Sequence, residues 1–335
     1  MNRPIASGAP GRRRVAQALA GAFLGCVAVG SRALMAGVAP DTAAAHVDPN
    51  ALSSRWSGVV SVVVDGSPYS GVAIGPRHVL TASHVVNGRT PAQVQITLNH
   101  TSPAQYASAA AIAIYPGATF PYDDLALVVL QQPLPNGVST YPVLDVPEPT
   151  GTLITLVGYG ASGNGDVGPT VSASATVKRS GVNVIDQFTD HFDASGRTSP
   201  FFVYDFDGPT GNGPVGGPTV GNALETVVAG GDSGSGSFVI LGNEPMLYGL
   251  NTVALGLNGA TLSTFGSGGA GLILGHRPYV DWMQAQTGEA VALFSKRQPD
   301  SIPAMPIWAL AAMGGGLWWS HRKRAVALAM RSGSG

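Results

Sequence analysis

Cysteine is almost absent from this chain of 335 residues, since Cys26 is the only one. An intrachain disulfide needs two thiols, so small frameworks held together by disulfides are excluded. The shortage does not exclude export, because a chain of this length can bury an adequate core without covalent cross-links.

Charge is also scarce: Asp, Glu, Lys and Arg make up 11% of the residues, less than half of the usual share of about 25%. The formal net charge of −1 conceals a division along the chain. Residues 46–301 contain 9 Lys/Arg and 18 Asp/Glu, a net charge of −9, and the remaining basic residues lie at the two ends. Such an acidic central region argues against nucleic-acid binding, and we expect no nucleic-acid partner.

Long apolar runs occur only near the two ends. Three arginines at positions 12–14 precede an apolar stretch at 15–30, the arrangement of a basic n-region and an h-region in a secretion signal. We therefore expect residues 1–45 to form a signal peptide region. Cleavage after the alanines at 43–45 is one alternative and an earlier site is the other. Either reading predicts an exported protein.

Residues 302–320 form the second apolar run, and 19 residues of helix would span about 28 Å, close to one hydrocarbon core. The basic cluster HRKR follows at 321–324. By the positive-inside rule the tail 321–335 is expected in the cytoplasm and the rest of the chain outside. The sequence thus predicts a transmembrane helix and a membrane as a partner.

The start of this C-terminal run, IPAMP at 302–306, resembles the PEP or IPTL type of sorting signal of Gram-negative surface proteins. That resemblance implies a temporary anchor and a sorting or processing peptidase as a further partner. The expected location is the periplasm or the cell surface, with anchoring that is at least transient.

The central region alternates short β-branched runs with turns rich in Gly, Pro and Asp, which is typical of an all-β domain. One helix is expected, over 278–287, with Pro278 at its start. The predicted strands are 58–64, 72–74, 94–98, 153–157, 171–177, 238–241 and 272–274. The stretch 161–230 is instead expected to be rich in loops.

Residues 231–236 read GDSGSG and place Ser233 among glycines, which let a backbone approach a substrate carbonyl closely. A serine hydroxyl is a poor nucleophile until a base takes its proton. A candidate base, His84, ends the run HVLTASH at 78–84, and candidate carboxylates Asp123 and Asp124 precede the apolar run LALVVL at 125–130. Taken singly, each residue could be structural: a turn serine, a core histidine or a strand-end cap.

Together these segments resemble the trypsin/chymotrypsin family of serine proteases. LTASHV at 80–85 is similar to the family's LTAAHC, DLAL at 124–127 to its DIAL, and GDSGSG to its GDSGGP. Residues 158–160, GYG, look like its GWG turn, and residues 271–282 look like its last strand and closing helix. The similarity covers roughly residues 56–287, and the motifs occur in the family's order.

The resemblance implies a two-barrel chymotrypsin-like fold of two six-stranded barrels, with a C-terminal helix, over residues 46–287. A linker at 288–301 would then lead to the apolar run. It implies a triad of His84, Asp124 and Ser233, with Asp123 as a solvated neighbour. The N–H groups of Gly231 and Ser233 would form the oxyanion hole. The implied activity is peptide-bond hydrolysis in a protein or peptide substrate, without a cofactor.

The resemblance also implies a primary pocket with Val227, six residues before Ser233, at its base. Thr252 and Gly271 would belong to its wall, within a wall that includes residues 251–254. No carboxylate is expected at the base, so the family pattern implies a preference for small or medium apolar side chains. No IVGG-like terminus precedes Trp56, so Asp232 needs a different partner from the one it has in animal members.

Two alternatives stay open. Five aspartates in the loop-rich stretch suit either solvated side chains or a calcium site; these are Asp186, Asp190, Asp193, Asp205 and Asp207. Their spacing does not match an EF-hand, and we expect no metal site. The second alternative is a surface-displayed binding or structural module with a protease-like fold and no activity.

Overall fold

The computed structural model describes residues 34–211, 213–288 and 290–295. The apolar part of the expected signal, 15–30, lies outside the described residues. So do the expected membrane segment at 302–320 and the tail at 321–335. Across the described ranges, no helix combines the length and the apolar character needed to cross a membrane.

The first half of the described chain forms a closed antiparallel barrel of six strands, in the order β1-β2-β3-β6-β5-β4. Closure leaves no exposed strand edge. A four-residue helix, α1 (Ser83–Val86), follows β3. The barrel strands are β1 (Val59–Val64), β2 (Ser67–Gly75), β3 (His78–Thr81), β4 (Val94–Leu98), β5 (Gln105–Ile114) and β6 (Ala126–Leu130).

The second half forms one nine-stranded sheet and a separate two-stranded sheet. The large sheet runs in the order β11-β8-β14-β15-β16-β13-β12, with β7 beside β15 and β17 beside β7. Its strands are β7 (Val143–Leu144), β8 (Leu153–Gly158), β11 (Arg179–Val184), β12 (Gln187–Thr189), β13 (Phe201–Asp205), β14 (Gly236–Leu241), β15 (Glu244–Leu255), β16 (Gly268–Ile273) and β17 (Leu293–Phe294). The two-stranded sheet contains β9 (Ser162–Asn164) and β10 (Gly168–Val171).

This arrangement corrects part of the sequence prediction. The first six-stranded barrel is present, whereas the second half is a nine-stranded sheet rather than a second six-stranded barrel. The stretch 161–230 is also richer in strands than expected, because it contains β9 to β13. Their side chains alternate poorly in hydrophobicity, so the periodicity that marks a strand is weak there.

Most of the predicted strands coincide with observed ones, with boundaries shifted by a few residues. The run 171–177 is the exception, because β10 ends at Val171. Side chains take the backbone groups beyond it: Asn99 donates to the Ala175 carbonyl and the Ser174 hydroxyl accepts from the Thr176 N–H. Such local bonds compete with a strand ladder. The predicted helix is confirmed as α2 (Arg277–Thr287), which starts one residue earlier than expected.

The main apolar core lies between the barrel and the large sheet. Val59 and Leu80 from the barrel share this core with Val157, Phe238 and Leu272 from the sheet, and all five are fully buried. Because this core joins the two halves, it fixes the position of the barrel's end relative to the turn that precedes β14. That junction is where the candidate site lies.

A segment that the sequence assigned to the signal region packs onto the large sheet. Leu34, Met35 and Ala36 are each 0% exposed, and the Met35 N–H donates to the Val227 carbonyl at 2.9 Å. Further along, the His46 ring bonds to the Asp41 carboxylate. Residues 34–36, which the sequence placed in the expected signal region, therefore contribute to the buried core.

Candidate active site

Barrel geometry brings His84 and Asp124 together. Strands β3 and β6 are antiparallel neighbours in which Thr81 lies opposite Ala126. His84 follows Thr81 by three residues, and Asp124 precedes Ala126 by two, so both lie at the same end of the barrel. The carboxylate of Asp124 is fully buried there, whereas the His84 side chain is 28% exposed.

Both carboxylate oxygens of Asp124 accept from His84. Oδ1 accepts the His84 backbone N–H at 2.8 Å, and Oδ2 lies 2.6 Å from His84 Nδ1. The Ser83 N–H also donates to the Asp124 carbonyl at 3.2 Å. These contacts fix the imidazole orientation and favour the tautomer with its proton on Nδ1. The other ring nitrogen, Nε2, is thereby left as a hydrogen-bond acceptor.

Ser233 lies at that second nitrogen. Its Oγ is 2.9 Å from His84 Nε2, so the three side chains form one continuous chain of hydrogen bonds from Asp124 through His84 to Ser233. The Phe120 ring packs edge-on against the imidazole, with ring centroids 5.0 Å apart. A nucleophile, a base and a group that orients the base are therefore within reach of one another.

The turn at residues 231–236, here called the nucleophile turn, depends on two glycines. Gly231 has φ +99° and Gly234 has φ +83°, in the region that side-chain-bearing residues resist. A Cβ at Gly234 would also lie 2.3 Å from the Ser70 carbonyl oxygen. The sequence prediction that glycine is needed here has a steric basis as well as a conformational one.

Ser70 of β2 fastens the nucleophile turn to the barrel. Its Oγ donates to the Gly231 carbonyl at 2.9 Å and accepts from the Tyr159 N–H at 3.0 Å. Its backbone N–H donates to the Ser233 carbonyl at 3.1 Å. Sequence reasoning missed Ser70, because a serine inside a strand carries no local sign of a partner that is distant in the chain.

Asp232 is buried beneath the turn, with 1% exposed. Its Oδ1 accepts from the Gly160 N–H at 3.2 Å and its Oδ2 from the Ala229 N–H at 3.0 Å. Burial raises the pKa of Asp232 to about 7, while these two hydrogen bonds and the charge of Arg179 lower it. The Asp232 carboxylate therefore connects the nucleophile turn to Gly160 and Ala229.

Beside Ser233 lies a small cavity of about 50 Å³. Of the three residues predicted for the pocket, Thr252 lines this cavity. Its other lining residues are Val228, Ala229, Gly230, Asp232, Ser233, Asn251, Val253 and Ala254.

Val227 and Gly271 are not among the residues that line the cavity. Val227 is fully buried, and its carbonyl accepts from Met35, whereas the following residue, Val228, reaches the cavity. Successive residues of an extended chain face opposite sides, which explains this shift of one position. Gly271 lies opposite Asn251 in the ladder of β15 and β16, packed against the Phe202 ring.

Asp123 differs from the solvated neighbour expected from sequence. Its Oδ1 accepts from the Tyr279 hydroxyl at 2.7 Å and from the Ser199 hydroxyl at 2.9 Å. The Asp123 N–H in turn donates to Ser199 Oγ at 2.9 Å. Asp123 thus joins α2 and the loop before β13 to the strand entrance that carries Asp124.

The five aspartates considered for calcium differ widely in solvent exposure. Asp190 is exposed, whereas Asp205 and Asp207 are 2% and 3% exposed. Asp205 accepts from the backbone N–H groups of Val215 and Gly216. Within the described ranges, no group of three or more His, Cys, Asp or Glu side chains is arranged to hold a metal ion.

Asp186 and Glu225 lie close to these buried aspartates. Burial raises the pKa of Asp186 to about 8, and the charges of Asp205, Glu225 and Asp207 raise it further against a hydrogen bond from the Asp205 N–H. Burial likewise raises the pKa of Glu225 to about 7. Glu225 is buried and Asp186 is half-buried, and each accepts a backbone N–H, from Asp207 and Asp205 respectively.

Comparison with known proteins gives one family. The family model described as Trypsin matches residues 46–262, a span that contains the barrel, His84, Asp124 and the nucleophile turn. No curated protein matches the chain.

Proposed function

Because this chain belongs to the trypsin family of serine peptidases, we propose that it is an active serine endopeptidase that uses Ser233, His84 and Asp124. The observation that carries the proposal is the continuous hydrogen-bonded chain from Asp124 through His84 to Ser233 Oγ. A peptidase domain implies protein or peptide substrates. The competing candidate is an inactive binding module, whose function would not require these three side chains to be aligned.

In the proposed mechanism Ser233 Oγ attacks the carbonyl carbon of a peptide bond while His84 Nε2 accepts its proton. Collapse of the tetrahedral intermediate expels the amine, which takes that proton from His84, and leaves an acyl-enzyme. Water then attacks the acyl carbon while His84 takes its proton; collapse of this second intermediate breaks the ester bond, releases the acid and returns the proton from His84 to Ser233 Oγ. Asp124 stabilises the imidazolium that forms in each half-reaction.

The negative oxygen of each tetrahedral intermediate needs donors that are already in place. We assign this part to the backbone N–H groups of Gly231 and Ser233. The positive φ of Gly231 and the anchoring of the Gly231 carbonyl by Ser70 support the assignment, because both restrict the orientation of the peptide groups in the turn. Loss of one such donor typically costs about 3 kcal/mol of transition-state stabilisation.

The cavity beside Ser233 supports a preference for a small apolar side chain at the residue before the cleaved bond, the P1 residue. Its volume of about 50 Å³ suits a small side chain better than the longer side chains of phenylalanine and lysine. We expect hydrolysis of peptides with alanine or valine at P1 to exceed that of matched phenylalanine and lysine peptides. Equal rates for all four peptides would contradict the preference.

We further propose that the peptidase is exported and at least transiently held at a membrane through residues 302–320. The support is the sequence alone: the basic and apolar segments at the N-terminus, and the apolar run followed by basic residues at the C-terminus. Fractionation of cells that produce the tagged chain tests this, and recovery in the cytoplasm alone would contradict it.

The proposed activity is tested by labelling the full chain with a fluorophosphonate, which reacts with an activated serine. We expect labelling of one site per chain, lost in Ser233→Ala and reduced to background in His84→Ala. The matched control is Ser53→Ala at an exposed serine, which should label like the wild type. A folded wild-type protein that takes no label would favour the inactive module.

A further inference from the structure

Residues 34–48, here called the strap, are fastened to the large sheet and its surroundings near both ends. Near the N-terminal end, the Met35 N–H donates to the Val227 carbonyl at 2.9 Å. Near the C-terminal end, the Ser180 N–H of β11 donates to the His46 carbonyl, also at 2.9 Å. The middle of the strap lies between these two points.

The His46 ring ties the middle of the strap to β11. Its Nδ1 lies 2.8 Å from the Ser180 carbonyl oxygen, and its Nε2 lies 2.7 and 2.8 Å from the two carboxylate oxygens of Asp41. The same carboxylate accepts the Gly37 N–H at 2.7 Å and the Thr42 N–H at 3.0 Å. One imidazole therefore links Asp41, and through it Gly37, to the edge of the sheet.

This arrangement needs one proton more than a neutral histidine carries. A backbone carbonyl and an ionised carboxylate only accept hydrogen bonds, whereas a neutral imidazole has a single N–H to donate. Both bonds form only when a second proton is present, on the imidazolium or shared with Asp41. Without it, a ring lone pair would face the Asp41 carboxylate at 2.7 Å. The side chains of His46 and Asp41 are 11% and 6% exposed, so water has little access to replace the lost bond.

The charges around the ring favour the extra proton at the point of contact. Asp41 is the anion that touches His46. Lys178, just before β11, pairs with Asp48 of the strap at 3.1 Å, so these two charges offset each other. Arg179 is the cation that opposes a positive charge on His46, and its Nε is itself bonded to a carbonyl of the strap. The closest charge is therefore the one that stabilises the imidazolium.

We propose that His46 and Asp41 form a proton-dependent latch, which holds the strap on β11 and opens when the pH rises and the extra proton is lost. Histidine is the side chain whose charge ordinarily changes between about pH 5 and pH 8. The latch is therefore closed in mild acid and open in mild base. Its action does not depend on the proposed peptidase function.

The latch also determines access to a cleavable segment. The alanines at 43–45 form a turn between Asp41 and His46, and Ala44 and Ala45 are exposed. A peptidase cuts such a segment from its locally opened form, so the rate of cutting follows the population of that form. We therefore expect proteolytic processing at 43–45 to be slow while the latch is closed and fast once it opens.

The test is limited proteolysis of the full chain carrying Ser233→Ala, which removes self-cleavage. Added elastase, which cuts after small residues, is the probe, and its own pH dependence is removed by normalising to a free peptide of residues 40–48. We expect cutting at 43–45 to be about tenfold or more faster at pH 8.5 than at pH 5.5. His191→Gln, at an exposed histidine paired with exposed Asp190, is the matched control and should keep this dependence.

Two variants should abolish the pH dependence in opposite directions. His46→Gln cannot take up the second proton, so the strap should be cut fast at both pH values. In Asp41→Asn the amide N–H can donate to Nε2 of a neutral His46 while Nδ1–H donates to the Ser180 carbonyl, and the amide oxygen still accepts from Gly37. Asp41→Asn should therefore be cut slowly at both pH values.

The opposite signs separate a latch from a general loss of structure. If His46→Gln does not fold, the pH dependence of the unsubstituted strap and its absence in Asp41→Asn still decide the question. Cutting that is independent of pH with the strap unsubstituted, or fast cutting of Asp41→Asn at pH 8.5, would overturn the proposal. So would a chain that is isolated from the producing cells without residue 41.

Hydrogen exchange of the same proteins gives a readout without a protease. After correction for the intrinsic exchange rate, the Ser180 amide, which donates to the strap, should lose protection between pH 5.5 and pH 8.5 and keep it in Asp41→Asn. Equal protection at both pH values with the strap unsubstituted would overturn the latch, whether or not the wild type reacts with a fluorophosphonate.

Discussion

At the scale of single residues, the adjacent carboxylates Asp123 and Asp124 have distinct environments. Asp124 gives both oxygens to His84, whereas Asp123 gives one oxygen to Tyr279 and Ser199. The resemblance to the trypsin family favoured Asp124 for the base-orienting role, and Asp124 is the one of the two that bonds to His84 in the described structure. What the sequence could not predict is that Asp123 would bind two side chains that lie far away in the chain.

These two residues form a matched pair for mutagenesis. We expect Asp124→Asn to lower kcat by about 10⁴-fold, because an amide in place of the carboxylate favours the wrong histidine tautomer. Asp123→Asn keeps an acceptor for Tyr279, and kcat should fall by less than about tenfold. Steady-state kinetics of both variants decides between them, and a reversed order would assign the orienting role to Asp123.

The Tyr279 hydroxyl gives a second prediction at this scale. Tyr279→Phe removes a donor from a partly buried carboxylate, and hydrogen bonds to charged groups contribute about 2 kcal/mol. We expect the free energy of unfolding in urea to fall by about that amount. Tyr106→Phe is the control, since Tyr106 is 64% exposed and should be neutral. Equal stability of the two variants would mean that the Tyr279–Asp123 bond contributes nothing.

At the scale of elements, the N-terminal segment from Leu34 is part of the fold. The sequence assigned these residues to the signal region because they lie between the apolar stretch at 15–30 and a possible cleavage site after the alanines at 43–45. Leu34 and Met35 belong to the same buried cluster as Leu156 of β8, Tyr204 and Val227, all more than 100 residues away in the chain. No local sequence pattern indicates such a contact, so the packing of residues 34–36 could not be predicted from the sequence.

This gives a prediction for two shortened chains. A chain that starts at residue 34 should be more stable than one that starts at residue 46 by about 4 kcal/mol, since the latter loses the buried Leu34 and Met35 side chains. Urea unfolding of both, ended at residue 301, measures the difference. In the full chain, Leu34→Ala should lower the free energy of unfolding. Leu52→Ala should leave it unchanged, because the Leu52 side chain is 43% exposed. Equal midpoints would show that the segment is dispensable.

At the scale of the whole molecule, burial of acidic groups governs how stability depends on pH. The folded-state pKa values of Asp186, Glu225 and Asp232 are raised to about 8, 7 and 7. A group whose pKa is raised by folding contributes stability below its unfolded pKa, near 4, and loses it as the pH rises through the folded value. The fold is therefore expected to weaken between about pH 5 and pH 8.

We predict a higher melting temperature at pH 5.5 than at pH 8.5, measured on Ser233→Ala so that self-cleavage cannot interfere. Asp186→Asn should reduce this difference, because the amide carries no charge to bury. Asp190→Asn, at an exposed carboxylate, should leave it unchanged. A melting temperature that rises with pH would contradict the assignment of these three groups.

The linear sequence was enough to predict the all-β class and to single out His84, Asp124 and Ser233 as candidates. The signals were local: glycines around Ser233, a histidine after one strand and an aspartate before another. Local features of this kind can be recognised in the linear sequence. What lies beside these residues depends on the tertiary structure: Ser70 on the nucleophile turn, Val228 rather than Val227 at the cavity, and Ser199 and Tyr279 on Asp123. Burial and pairing are set by neighbours across the fold, and residues such as Ser70 and Gly231 become neighbours only when the barrel and the sheet pack around a common core.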